Sequence, residues 1–364
     1  MKIAILGTRG IPNHYGGFEQ FAEYLSVGLA NNGHDITVYN SHTHPYQEKT
    51  FKNVKIKHIY DPENKIGTAG QFIYDLLCIL DTRKEDYDII LQLGYTSSSV
   101  FFDLHPKKSL VITNMDGLEW KRTKYSAKVQ KFLLWAEKLG ALKSDFLISD
   151  SIGIQNYLKN KYDKDSIYIP YGSYVVEESN VDTLKQYNLE KYDYNMLIAR
   201  LEPENSIETI LDGVSNAKDK KTFLVIGKHE TKFGEYLKDK FKNYDNIKFL
   251  GGIYDINILN DLRRYSNIYF HGHTVGGTNP SLLEAMGSEA LICANDNEFN
   301  SSILGEDAFY FSNDKEVTNY LETINKETYI SFIENNINKI KNIFEWNKVI
   351  KEYEDYLLKC LKNN

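Results

Sequence analysis

Short apolar runs alternate with segments of helical spacing through most of this chain, and the runs at 2–7, 35–40, 54–60, 88–93, 110–114, 146–149 and 167–169 read as strands. A second series follows at 196–200, 222–227, 247–250, 268–271 and 291–294, each run again trailed by a helix-like or turn segment. Alternation of this kind demands parallel strands with helices on both faces of each sheet. The periodicity breaks at Pro170-Tyr171-Gly172 and the polar stretch beyond it, which marks a domain boundary. The expected architecture is α/β, with two doubly wound, Rossmann-like domains, 1–170 and 171–345, facing a cleft. The tail from 315 to 361 is helical by pattern, and its last part, 346–364, is expected to pack back on the first domain. Ligands of open parallel sheets lie beyond the carboxyl ends of the strands, where the notable glycines of this sequence fall.

Composition narrows the function. At 364 residues the chain can bury two ordinary cores, and its formal charge of −7 argues against general nucleic-acid binding, which needs a basic surface. Cys78, Cys293 and Cys360 are widely spaced, which suggests neither a disulfide framework nor a zinc cluster. The opening Met1-Lys2-Ile3-Ala4-Ile5-Leu6-Gly7 is too short an apolar run for a signal peptide, and no stretch approaches bilayer-spanning length. A reduced, cytoplasmic protein is expected.

The richest segment is His271-Gly272-His273-Thr274-Val275-Gly276-Gly277-Thr278-Asn279-Pro280-Ser281-Leu282-Leu283-Glu284, in which a strand meets a glycine turn and the turn opens a helix. Such a junction aims backbone N–H groups at one spot, and the helix dipole adds to their pull on an anion. A phosphate fits there. Glu284 lies about one and a half turns inside the helix, placed for a neighbouring hydroxyl pair rather than the phosphate. The segment reads as a nucleotide-diphosphate pocket, while Leu282, Leu283 and Met286 pack the core. Arg200, at a strand's carboxyl end, could clamp phosphate oxygens or pair with Glu202 or Glu204 at the rim. The first strand runs into Gly7-Thr8-Arg9-Gly10-Ile11-Pro12-Asn13-His14-Tyr15-Gly16-Gly17-Phe18-Glu19, a longer loop than the dinucleotide fingerprint allows, reaching toward phosphate or acceptor. Asp116 and Glu119 could each accept from sugar hydroxyls or cap the next helix. Between His105 and Lys143 nine basic residues face three acids, and Trp120, Phe132, Leu133, Leu134 and Trp135 interleave them. That is the make-up of a surface that lies on anionic lipid, or of a solvated helix with Leu133 and Trp135 in the core.

Five separated motifs together resemble the bacterial polysaccharide rhamnosyltransferase branch of the family-4 glycosyltransferases, of the two-domain GT-B type. They are the opening Gly-Thr-Arg-Gly-Ile-Pro, Tyr15-Gly16-Gly17-Phe18-Glu19, Asp116-Gly117-Leu118-Glu119-Trp120, Ala199 through Asn205, and Val275 through Pro280. The resemblance implies a retaining hexosyl transfer without a metal or other cofactor, from a nucleotide-diphosphate sugar as co-substrate. L-Rhamnose from dTDP-L-rhamnose is the implied donor group, and a polyprenyl-diphosphate-linked saccharide of capsule or cell-wall synthesis is the implied acceptor. Work at the inner face of the plasma membrane follows, by peripheral attachment. Arg200 and Asp116 take the catalytic roles. Gly16, Gly17, Arg200, Lys228, Gly276, Gly277, Thr278, Asn279 and Glu284 are the implied donor contacts, and Glu119 and Tyr15 the acceptor contacts. Two departures stand out: Asn205 occupies a position where the family usually has a lysine, and Gly276 replaces the first of its paired glutamates. Two other readings remain at this level, a sugar-nucleotide epimerase using His271 and His273, and a non-catalytic nucleotide-sugar-binding subunit.

Overall fold

The computed structural model describes every residue except Tyr15, Asp116, Thr123 and Asn364. The chain forms two compact units: residues 1–121, 126–171 and 346–364 make the first, and 122–125 with 172–345 the second.

The first unit holds an eight-stranded sheet in the order β3-β4-β2-β1-β5-β6-β7-β8. Its strands are β1 Lys2–Leu6, β2 Asp35–Ser41, β3 Thr50–Phe51, β4 Val54–Ile59, β5 Ile89–Leu93, β6 Leu110–Asn114, β7 Phe146–Ser149 and β8 Ile167–Tyr168. All neighbours are parallel except β3, which pairs antiparallel with β4. The two-residue β3 leaves too little apolar pattern to register in the sequence, and it lies at the sheet edge. Central strands are buried along nearly their whole length, Ile3, Ala4 and Ile5 at 0% exposure among them, as strands covered on both faces require. The Gly17–Asn31 helix buries Phe21, Ala22, Leu25 and Leu29. Against it lies the Trp346–Lys362 helix, whose Val349, Ile350, Tyr353 and Leu357 are buried. A Cβ on Gly28 would stand 2.4 Å from Ile350 Cδ1, so the bare glycine lets the two helices close up. The Phe21 and Tyr353 rings meet at 5.3 Å, and Asn114 Nδ2 donates to the Tyr353 hydroxyl at 2.9 Å. Burial of side chains of this size contributes about 1.5–3 kcal/mol each.

The second unit holds six parallel strands, β9 Tyr194–Ile198, β10 Thr222–Ile226, β11 Ile247–Gly251, β12 Tyr269–His271, β13 Ile292–Asn295 and β14 Phe309–Phe311, ordered β11-β10-β9-β12-β13-β14. Counting β9 as first, this is the doubly wound order 3-2-1-4-5-6, whose direction reverses between β9 and β12. The core joins Leu197, Phe223, Val225, Phe270, Cys293 and Phe311 to Ile207, Ile210 and Leu211 of the Ile207–Asn216 helix. The three cysteines are all buried and free. Among the described residues no helix is long and apolar enough to cross a membrane.

Candidate functional site

A reversal of strand order opens a crevice beyond the carboxyl ends of the two strands that flank it. In the second unit these are β9 and β12. Arg200 stands two residues past β9, and the His271–Asn279 stretch leaves β12, so the two segments singled out in the sequence share one edge of one sheet.

The two loops are fastened together. A Cβ at Gly272 would fall 2.0 Å from the Asn205 carbonyl oxygen, so only glycine allows this approach. Thr274 donates to the Glu204 carbonyl twice, from its N–H at 3.1 Å and its hydroxyl at 2.7 Å. The His273 carbonyl in turn accepts from Asn297 Nδ2 at 3.0 Å and Asn300 Nδ2 at 3.1 Å. Buried Asn205 donates to the Arg200 carbonyl at 2.7 Å. Asn205, the departure from the expected lysine, therefore shapes the Arg200 loop. Arg200 itself is exposed and, among the described residues, makes no ion pair; the rim pairing with Glu202 or Glu204 does not form. Glu204 is instead 6% exposed and faces Arg122, with Arg122 Nη1 3.6 Å from Glu204 Oε1 and Glu204 Oε2 unpartnered.

Lys228 follows β10 through Gly227, where φ is +155° and a Cβ would meet the Ala199 carbonyl oxygen at 1.9 Å. That contact brings the chain carrying Lys228 against the segment leading into Arg200. Lys228 is exposed, its Nζ 6.0 Å from the Tyr254 ring centre.

At the glycine turn Gly276 has φ +142° and nothing within 4 Å of where a Cβ would be, so open space adjoins it. The backbone N–H groups of Gly276 and Gly277 take no backbone partner among the described residues. Buried Thr278 leads to Asn279, which caps the Pro280–Gly287 helix: its side-chain oxygen accepts from Ser281 N at 2.9 Å, with Pro280 at the first helical position. The Asn279 side chain, expected on the donor, is thus engaged by its own helix, and the turn's capacity for an anion rests on its backbone.

Glu284 has a partner that sequence reading missed. Arg263 of the Ile256–Tyr265 helix, 1% exposed, donates from Nη2 to Glu284 Oε2 at 2.6 Å and from Nη1 to Asn260 Oδ1 at 3.1 Å, while its Nε is unpartnered. A guanidinium buried this fully persists only when paired. In the sequence Arg263 is one more cation near a helix end, adjacent to Arg264, and nothing in the spacing marks it.

His271 and His273 stack at 4.4 Å between ring centres and 17° between planes. Both His271 ring nitrogens and His273 Nδ1 are buried without partners. Burial pushes the His271 imidazole well down, and burial with the Arg200 and Arg122 guanidinium groups pushes His273 down to about 3. Two imidazoles held neutral in this way are poor relays for the acid and base work of an epimerase.

In the first unit the loop after β1 is drawn together by its own carboxylates. Buried Glu19 accepts the Arg9 N–H at 2.9 Å, and the Arg9 guanidinium forks onto Glu63 at 2.8 and 3.1 Å. Gly16 caps the Gly17–Asn31 helix without a side chain, and a Cβ there would lie 3.3 Å from Glu19 Oε2. A carboxylate therefore already occupies the head of this helix, where Gly16 and Gly17 were expected to receive the donor. Glu119 is half-buried at the start of the short Glu119–Lys121 turn, its N–H on the Tyr95 hydroxyl at 3.3 Å. Asp116 and Tyr15, expected as catalytic and acceptor-binding, lie outside the described residues.

A family model described as a domain of unknown function (DUF1972) matches residues 1–174. An uncharacterized glycosyltransferase, MJ1069 of Methanocaldococcus jannaschii, is 25% identical over 392 aligned positions that cover 97% of each chain. Among solved structures, sucrose-phosphate synthase from Thermosynechococcus elongatus superposes with a TM-score of 0.81 at 14% identity, covering 100% of both chains. Anabaena Alr3699/HepE in complex with UDP-glucose gives 0.74 at 14% identity over 99% of this chain and 100% of that one. The trehalose-6-phosphate synthase OtsA gives 0.75 at 10% identity over 98% and 99%. With its two parallel-sheet units, the chain has the GT-B fold of glycosyltransferases.

Proposed function

We propose that this protein is a retaining glycosyltransferase that moves L-rhamnose from dTDP-L-rhamnose to a polyprenyl-diphosphate-linked saccharide, as in capsule or cell-wall polysaccharide synthesis. The observation that carries the reading is the crevice where the order of the second sheet reverses. There an exposed Arg200, the open glycine turn at Gly276 and Gly277 and the Arg263-anchored Glu284 offer what a nucleoside diphosphate needs. The nucleotide-sugar class draws support from the uncharacterized glycosyltransferase of M. jannaschii and from HepE, whose complex holds UDP-glucose. Rhamnose rests on the five motifs. In this reading residues 1–170 take the acceptor, with Tyr15, Asp116 and Glu119 toward its hydroxyls, and 171–345 take the donor.

In the transfer the bond from the sugar's anomeric carbon to the diphosphate oxygen breaks while a bond to the acceptor oxygen forms on the same face. The acceptor's proton passes to the departing phosphate oxygen. Arg200, Lys228 and the turn N–H groups stabilise the charge that grows on the leaving group, fixed donors in a water-poor site contributing several kcal/mol. No protein nucleophile or metal is invoked.

The acceptor lies in a membrane, and the Ala127–Lys143 helix has a face suited to one. Lys128, Lys131, Trp135, Lys138 and Leu142 recur at intervals of three and four and are all exposed, Trp135 at 49%. Leu133, by contrast, is buried. Peripheral binding to an anionic cytoplasmic leaflet follows from charge and aromatic content together.

Melting curves with a panel of sugar nucleotides test the donor, since a ligand selective for the folded state raises the melting temperature. The largest shift is expected with dTDP-L-rhamnose; a larger one with UDP-glucose would replace rhamnose. Incubation with donor alone should leave it unchanged, and conversion without acceptor would establish an epimerase. Donor binding without transfer to any lipid-linked acceptor would point to a non-catalytic subunit.

A further inference from the structure

Three buried ring nitrogens stand without partners at the end of β12 and just past it. Tyr269, His271 and His273 alternate along β12 and the residues just past it, so their side chains lie on one face. Tyr269 and His271 ring centres are 6.5 Å apart, and His271 and His273 4.4 Å apart. Tyr269 is satisfied through the Ser281 hydroxyl at 2.9 Å. The histidines are not: His271, 1% exposed, has both nitrogens buried and unpartnered, and His273 has Nδ1 so. A buried polar atom left without a hydrogen bond is destabilising, and two stacked residues carrying three such atoms is an expensive arrangement for mere packing. A leucine would fill the space without that cost.

The two rings differ in what they face. His271 lies toward Arg263, whereas His273 lies toward Arg200 and Arg122, the cationic side of the crevice, and is partly exposed. Its backbone is fixed by Asn297 and Asn300, so the ring has a settled platform. Three residues on, Gly276 leaves open space where any side chain would have stood.

We propose that His273 is a donor-sugar contact, a neutral imidazole that exchanges a hydrogen bond with a hydroxyl of the transferred sugar in the space left open beside Gly276, with His271 stacked behind it to hold the ring upright. The assignment rests on the nucleotide-sugar reading of the crevice. A hydroxyl suits this ring because it both donates and accepts, as a neutral imidazole does. Burial, and after it the charge of the Arg200 and Arg122 guanidinium groups, disfavours the protonated form of His273.

The test compares affinities for a nucleotide with and without its sugar, by calorimetry with dTDP and dTDP-L-rhamnose and with UDP and UDP-glucose. In His273→Phe the affinity for the free diphosphate should stay within twofold of wild type. The affinity for the matching sugar nucleotide should fall about tenfold, the worth of one hydrogen bond. His273→Gln, which keeps a donor and an acceptor, should recover part of the loss, and His271→Phe, which keeps the stack, should leave the ratio unchanged. Parallel loss of both ligands in His273→Phe would make the ring a diphosphate contact and overturn the assignment. An unchanged ratio would make it structural and overturn it equally. If neither diphosphate binds wild type, the nucleotide-sugar reading itself falls.

Discussion

On the proposed reading Arg200 and Glu284 meet different parts of a nucleotide, and their removal should separate in kinetics. Arg200 faces charge that grows during bond cleavage, so Arg200→Ala should lower kcat by about 10²–10³-fold with a smaller change in KM. Glu284 contacts a group that does not change, so Glu284→Ala should raise KM and leave kcat nearly intact. Steady-state kinetics on both variants decide it, and equal small effects would remove the pocket. On the same reading Glu284 also meets the sugar of the nucleotide, where UDP presents two ribose hydroxyls and dTDP only the 3′. Glu284→Ala should therefore weaken UDP more than 2′-deoxy-UDP, and Arg263→Met should do the same by releasing the carboxylate from its anchor. A second buried cation gives a pH signature. Burial lowers the Lys326 amine to about 7 against an ordinary value of 10.5, although it donates to the Arg264 carbonyl. Between those values the unfolded chain holds the proton and the folded chain does not, so this group adds stability as pH rises from about 7 toward 10.5. Lys326→Met should flatten that rise in a series of melts, and an equally steep rise in the variant would count against the linkage.

Elements were more readable in the sequence than the contacts between them. Apolar runs located twelve of the strands to within two residues and missed Thr50–Phe51 and Phe309–Phe311, although Ile167–Tyr168 and Tyr269–His271, which are no longer, were found. The glycine turn was visible through its residue types, since only glycine serves where φ is +142° at Gly276 or where Gly272 meets a carbonyl. Arg263 and Asn205 were not, because their roles depend on which helix or loop lies opposite, and no local spacing encodes that. The Ala127–Lys143 helix shows the same division. Its charge was countable, but only the fold reveals that Lys128, Lys131 and Lys138 share an exposed face with Trp135, while Lys143 reaches Asp103 and Arg122 groups with the second unit. Reversing Lys128, Lys131 and Lys138 to Glu should cut sedimentation with phosphatidylserine vesicles at least tenfold, each cation near such a surface contributing about 1 kcal/mol. Donor affinity should not move. Equal sedimentation of variant and wild type would mean that the face is merely solvated.

At the scale of the whole molecule, the first unit is assembled from both ends of the chain. Trp346 and Tyr353 of the last helix pack on Phe21, and Val349 and Leu357 of the same helix are buried, so a protein cut after Glu345 should lose the first unit's melting transition or shift it down by many degrees while the second unit's persists. Calorimetry of the truncated chain checks this, and an unshifted first transition would show the helix to be dispensable. The same division orders events during synthesis. Residues 172–345 are synthesised before the helix that completes the first unit, so the second unit is made in full while the Phe21 face of the first still lacks its cover.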